Sequence, residues 1–488
     1  MAKKLNNLNY AVPTSITNDN LVSSISQAEG MAAPLWGGHL GKGANDLSKK
    51  LISTFSHDRR LYAITINSLK AQLKMQVKRQ IVPELAAKKL TETLDAIKKE
   101  IAEGKFHYEE AESIYDCITR RVAQLAKNEA TWLNVANSTA SQQAGDLKVW
   151  VRDAYDSLDA AVQNLQAALI DKAEENVKTI FPGNSNSQLT QPVSFGHHLL
   201  AYVEMFARDR SRIKDARKRM NESPYVSGDI AGTSFHTSRD MVARTLSFDK
   251  SCSNSIDAIN SRDYVIEFLS TAVNCANHTS KIASEMLEWH GSQNNYINFS
   301  ENFVAQSQIV PYKRDARILE AIRSKSAKIS GYLMAAINLD NSLHTEFSQD
   351  YNEFTEPAFD AYDNLLNATK GLASAVADFT INRKKLKEAA SHSFSTAIDL
   401  VNWLIQSAGS TPEKAQQTSR KIIEYAIAKN KKLSLLEVSE LQKFEPKIND
   451  EVYSVLIPSR ALITRRSGNG SNPVQIRKAI RAARRNYL

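Results

Sequence analysis

Cysteine, glycine and proline are all scarce in this chain. Its 488 residues include three cysteines, Cys117, Cys252 and Cys275, scattered without metal-ligand spacing. That excludes a disulfide framework or a cysteine-built zinc site, and the thiols are expected as reduced core residues of a cytosolic protein. Only 17 glycines and 12 prolines punctuate the length, and strand-like alternation is hard to find. Long 3.6-periodic segments dominate instead, so an all-α fold is expected. No run of eighteen apolar residues exists, which excludes a membrane-spanning helix. The opening MAKKLNNLNYAVPTS lacks the apolar centre of a secretory signal.

What is present is an ordinary soluble balance, 42% hydrophobic and 24% charged, in a chain long enough for two to four domains. The net charge is +9 and the pI about 9.1. Much of the excess sits at Lys214, Arg217, Lys218 and Arg219 and in the tail Arg477, Lys478, Arg481, Arg484 and Arg485. Both groups fall on helical patterns, where such residues form a solvated face. No zinc spacing or RNA-binding signature accompanies them, so nucleic acid is not an expected partner.

Residues 1–34 are polar and irregular, an arm or extension. From 35 to 133 a first helical domain is expected. Within it Pro83 starts a helix, Leu85, Leu90, Leu94, Ile97 and Ile101 line one face, and Gly104 ends it. Residues 134–382 carry the longest patterns. One helix begins at Asp146, with Val151, Leu158, Val162, Leu165 and Leu169 in register, and stops at Phe181-Pro182-Gly183. After a polar loop, helices follow over about 195–221, 257–288, 317–339 and 358–380. Helices of this length pack as an elongated bundle, and a second apolar face on such helices is buried in an oligomer. From 383 to 488 helices shorten, loops carry Ser410-Thr411-Pro412 and Gly468-Asn469-Gly470, and a small separate helical domain is expected.

One stretch organises the chemistry: Glu301 to Lys325, a loop without helical periodicity that passes Pro311 and enters an amphipathic helix through Ile318, Leu319, Ile322 and Ile329. Ser307 and Lys313 lie on the loop, with Glu320 on the helix behind. A base and a cation on a loop anchored to a long helix suit catalysis. Taken alone, the stretch reads equally as a polar connection between helices, and that is its simpler reading.

In order and spacing, several segments together resemble the argininosuccinate lyase family of the fumarase/aspartase superfamily. They are Leu35-Trp36-Gly37-Gly38, Tyr202-Val203-Glu204-Met205, Ala207-Arg208-Asp209, Ser223-Pro224, Ala231-Gly232-Thr233, Asn254-Ser255-Ile256-Asp257 with Arg262-Asp263, Ser439 to Phe444, and the SRALITRRSGNGSNP run. The likeness covers about residue 35 to the end. It implies three helical domains and a homotetramer around a long-helix core. It also implies cleavage of argininosuccinate to arginine and fumarate without metal or organic cofactor, at sites built from three subunits.

The family's site residues map unevenly. Its mobile loop, Gly-Ser-Ser-x-Met-Pro-x-Lys-x-Asn, falls on Gln306 to Asp315, so that the resemblance makes Ser307 the base, Lys313 the cation and Glu320 the downstream carboxylate. Its glycine is Gln306, which restricts the backbone that folds over substrate. Its asparagine is Asp315, which puts negative charge where carboxylate charge grows. The Gly-Tyr-Thr-His segment is Gly183-Asn184-Ser185-Asn186, followed by Gln188, Gln191 and Pro192; Asn186 replaces the histidine, so no group titrates near neutrality there. The His-Thr-Gly-Arg-Ser-Arg-Asn-Asp-Gln segment runs from Asn134 to Gln142, where Ser138 and Gln142 survive and both arginines are gone, replaced by Asn137 and Thr139. The upstream Asp-Ile-His is Ser113-Ile114-Tyr115, and the arginine-side positions are Phe347, Asn352 and Thr355. Arg262 joins Asn134, Ser138, Gln142, Ser185, Asn186 and Gln188 as a substrate-binding candidate. Each missing charge-assisted contact is worth roughly 1.5–3 kcal/mol, so efficient argininosuccinate cleavage is not expected. Two readings remain: a lyase doing β-elimination on another small substrate, which is preferred, or a non-catalytic scaffold or regulatory subunit, able to join an intact lyase in mixed tetramers.

Overall fold

The computed structural model describes residues 46–108, 113–346, 348–392 and 394–488. The Leu35-Trp36-Gly37-Gly38 motif, the 1–34 arm and Phe347 lie outside them. The fold is all-α, and the strands that accompany the helices form two-stranded pairs. No helix among the described residues is long and apolar enough to cross a membrane.

Helices packed in two compact units make up the chain. The first unit gathers residues up to Arg152, Met220–Arg262 and Leu339–Glu356; the second gathers Asp153–Arg219, Asp263–Asn338 and Pro357–Leu488.

In the first unit, helix Tyr62–Lys78 is followed by Glu84–Ala102 and Ile114–Ala126. Pro83 caps Glu84–Ala102, Leu90, Leu94 and Ile97 are fully buried, and Gly104 closes the helix. Gly104, at φ +68, donates to Ile101 O while Lys105 N–H reaches back to Glu100 O, the paired bonds of a Schellman end. Leu85 does not join that face: it is 84% exposed. Five residues from Leu90, it is rotated by about 140° around a 3.6-residue helix and points away from the other leucines. Residues 255–290 also differ from one expected helix. They form Ser255–Asn260 and Asp263–His290, broken at Ser261-Arg262, with Asn254 capping the short piece.

Helix Thr139–Glu175 begins about two turns earlier than Asp146, and the Ser138 hydroxyl accepts the Ser141 N–H at its start. Val151, Leu158, Val162, Leu165 and Leu169 are all buried along it. It ends before Phe181-Pro182-Gly183, and those residues with the polar stretch after them are an antiparallel hairpin, Ile180–Ser185 against Gln188–Ser194. Pro182 faces Pro192 across the hairpin. In the second unit Phe181, Phe195, Trp289 and His198 pack ring on ring, with Phe195 and Trp289 edge to face at 5.3 Å. Helices Phe195–Met220, Arg317–Asp340 and Thr355–Asp378 follow the expected spans closely. Residues 400–456 close their own apolar cluster around Leu400, Leu404, Ile422, Leu441 and Leu456.

Candidate functional site

The first unit holds a small cavity of about 30 Å³ whose wall includes Asp58, Thr65, Ser113, Tyr115, Asp146, Asn352 and Thr355. Ser113, Tyr115, Asn352 and Thr355 are four of the positions singled out by the family register, brought together from segments more than two hundred residues apart. Ser113 caps helix Ile114–Ala126, exchanging bonds with Asp116, and thereby aims the Ile114 N–H at Asp58, 3.1 Å away. The Tyr115 hydroxyl donates to Asn134 Oδ1 at 3.2 Å. Among the described residues no lysine, arginine or histidine lines the cavity.

Its two carboxyl groups are buried acids. Burial pushes Asp58 up to about 6, against opposing hydrogen bonds from Ile114 N–H and Thr54. Burial also pushes Asp146 up to about 6, although Thr65, Tyr225, Gln142 and Ser68 all donate to it, at 2.6, 2.5, 2.9 and 3.0 Å. Gln142 is one of those donors: fully buried, it also donates to Ser68 Oγ and accepts from Gln72 Nε2. Ser138 is held by the Gly228 carbonyl at 2.9 Å. The Arg262 guanidinium is buried, donates to the carbonyls of Ile259 and Ser261, and lies 5.0 Å over the Tyr351 ring. A larger pocket of about 110 Å³ among Glu100, Lys105, Cys117, Arg120 and Arg121 carries none of the family positions, and Glu100 grips Arg121 through two bonds.

In the second unit Ser307 and Lys313 share one hairpin. Ala305-Gln306 pairs with Arg314-Asp315, Ser307 N–H reaches Lys313 O at 3.4 Å, and the Ser307 hydroxyl accepts the Val310 N–H at 3.1 Å. The segment is therefore more ordered locally than a loop without periodicity suggests. Gln306 Nε2 donates to Pro311 O inside the turn, and Ile309 and Tyr312 project into solvent. Lys313 Nζ is 3.0 Å from Asp315 Oδ1, so the residue that stands in place of the family's asparagine neutralises the family's lysine. Glu320 is exposed in the first turn of Arg317–Asp340. Ser185, Asn186 and Gln188 are exposed around the tip of the other hairpin, where Asn186 and Ser187 take φ of +49 and +60 for its two-residue turn. Gln191, further down that hairpin, accepts from Arg465, which also pairs with Asp399.

Two family models match the chain, one described as Lyase over residues 38–331 and one described as Argininosuccinate lyase C-terminal over residues 394–462. Argininosuccinate lyase of Ehrlichia ruminantium (strain Welgevonden) is 36% identical over 455 residues, 93% of this chain and 98% of that protein. That of Chelativorans sp. (strain BNC1) is 35% identical over 92% of this chain and 95% of its own length. The chain belongs to the argininosuccinate lyase family. Solved structures share the fold at lower identity. EDDS lyase in complex with formate superposes with a TM-score of 0.80 at 20% identity, covering 91% of each chain. The 3-carboxy-cis,cis-muconate lactonizing enzyme from Pseudomonas putida gives 0.73 at 15%, over 90% of this chain and 99% of that one.

Within the argininosuccinate lyase family register, Asp58, Asp146 and Tyr225 are residues that the motif comparison passed over. One signal for Asp146 was available: it lies four residues after Gln142, on the same helical face. Nothing local pointed to Asp58 or Tyr225.

Proposed function

We propose that this chain is a lyase that eliminates an amine from a substrate other than argininosuccinate, through the same C–N bond cleavage as its family. Ser307 takes the proton, Lys313 faces the charge that builds on the carbon acid, and Glu320 supports them from the helix. Asn134, Ser138, Gln142, Ser185, Asn186, Gln188 and Arg262 shape the site from other segments, contributed by different copies of a homotetramer in the cytoplasm. The proposed domain division is 35–133, 134–382 and 383–488, after a 1–34 extension.

The single observation that carries the altered specificity is electrostatic. The cavity at Ser113, Tyr115, Asn352 and Thr355 has two buried carboxyl groups and, among the described residues, no cation in its wall. A dianion gains nothing from such a wall, whereas a small amine or neutral polar group finds acceptors there. With several contacts of roughly 1.5–3 kcal/mol each missing, argininosuccinate turnover is expected at least a thousandfold below that of an intact family member. The test follows the unsaturated product at 240 nm with argininosuccinate and a panel of aspartate monoamides N-substituted by small amines, which carry one carboxylate fewer, for wild type and Ser307→Ala. Turnover of a panel member that Ser307→Ala abolishes is the expected result. Ordinary turnover of argininosuccinate would end this reading.

The Lys313–Asp315 pair favours a second reading. A cation already neutralised and a serine hydroxyl already engaged by Val310 suit a non-catalytic subunit, a scaffold or a regulator assembled with an intact lyase. Failure of every panel substrate, together with co-purification of a second lyase chain from native extract, would select it.

A further inference from the structure

We infer that His290 is a positioning residue, a protonation-dependent clasp on the hairpin that carries Ser307 and Lys313. His290 is the last residue of helix Asp263–His290. Its two ring nitrogens face two backbone carbonyls: Nε2 lies 3.1 Å from Arg314 O, at the base of the hairpin, and Nδ1 lies 3.4 Å from Ile297 O. The ring stands edge to face on buried Phe299, 5.2 Å away, which fixes its plane. Ile297-Asn298 is in turn tied to Thr380-Ile381, so one of the two carbonyls belongs to fixed framework and the other to the hairpin.

A carbonyl oxygen can only accept. Neutral imidazole has one N–H and satisfies one of the two carbonyls; imidazolium has two and joins the framework to the hairpin. The position also suits a cation, because the C-terminal end of a helix concentrates partial negative charge. The charged residues on the segments adjoining His290 are Lys281, Glu285 and Glu288 in the last turns of its own helix, Glu301 before the hairpin, Lys313, Arg314 and Asp315 on it, Arg317 after it, and Asp378 and Arg383 beside the short strand; Glu285 pairs with His198. Lys313 and Asp315 pair with each other, and Asp378 accepts the Ser300 N–H. His290 itself makes no ion pair among the described residues, so the two carbonyls dominate its polar surroundings. Protonation therefore tightens the hairpin base, and deprotonation releases either Arg314 or Ile297.

The functional meaning rests on the roles proposed for Ser307 and Lys313, but the clasp can be tested without turnover. Amide hydrogen exchange is followed in the full-length protein at pH 6 and pH 8, corrected for intrinsic rates, for wild type and for His290→Phe, which keeps a ring against Phe299. Protection of 305–315 in wild type is expected to fall about fivefold from pH 6 to pH 8, the factor set by one net hydrogen bond. In His290→Phe it is expected to be low and the same at both values, with helix Asp263–His290 unchanged. Wild-type protection of 305–315 that is flat with pH overturns the clasp, as does loss spread over the whole helix in the variant. If the hairpin responds as stated while every substrate fails, the clasp stands and the catalytic reading alone is lost.

Discussion

Asp146 is buried with four donors around it, and still burial dominates its titration. An acid whose folded pKa rises from 3.8 to about 6 binds its proton more tightly in the folded state. Its contribution is fully present below pH 3.8 and is lost as pH climbs through about 6. About two units correspond to roughly 3 kcal/mol. Asp146→Asn has no proton to lose, so the stability difference between wild type and the variant is expected to change by about that amount between pH 4 and pH 7, in favour of the variant at the higher value. Urea titrations at several pH values measure it, and a difference independent of pH would remove Asp146 from the account. Gly145 makes a companion case. A Cβ there would run into the ring of Tyr225, which is fully buried and donates to Asp146. Gly145→Ala is therefore expected to cost about 1–3 kcal/mol in the same titration. Family register alone singles out Gln142 among these residues. The network around it was not legible, because Thr65, Ser68 and Tyr225 come from 78 to 81 positions away and no local pattern announces such pairings.

Among the elements, long helices were the legible part, since their apolar repeats persist over many turns. The hairpins were not. Ile180–Ser185 contains Pro182 and Gly183, which read as a helix stop, and its partner strand is polar because its side chains alternate toward solvent. The Ser307 hairpin is too short for any period, with two residues paired on each side. Its chemistry can still be probed as a unit. Asp315→Asn restores the family's asparagine and frees Lys313 from a partner 3.0 Å away. The lysine is 59% exposed, so the fold is expected to lose less than about 0.5 kcal/mol. Fumarate, the product that an intact family site would release, is expected to bind about tenfold more tightly once the like charge is gone. Titration calorimetry on wild type and Asp315→Asn checks this. Unchanged affinity would mean that the Lys313 cation does not face the anion.

At the scale of the whole molecule, helix Arg317–Asp340 is an element whose apolar residues are not all covered within one chain. Leu319, Ile322, Ile329 and Ala336 are buried on one side, while Met334 and Ile337 remain 56% and 39% exposed and Gly331 and Ala335 are open beside them. Small residues next to apolar ones on a long helix permit close approach of another helix, and a second apolar face is what the proposed tetramer core requires. The sequence carried this in its periodicity, because apolar residues recur on more than one side. It could not carry which residues meet across copies, since that depends on symmetry rather than on spacing. Light scattering on the wild-type protein is expected to give four times 54.3 kDa. Met334→Lys combined with Ile337→Lys places two charges on the exposed face without touching the buried one, so helicity is expected to persist while the mass falls to that of smaller species. Because the proposed site draws residues from several copies, any turnover on the panel should fall with the mass in that variant. A tetramer that survives both lysines would show that its core is built on another face, and would detach Ser307 from the neighbours assigned to it.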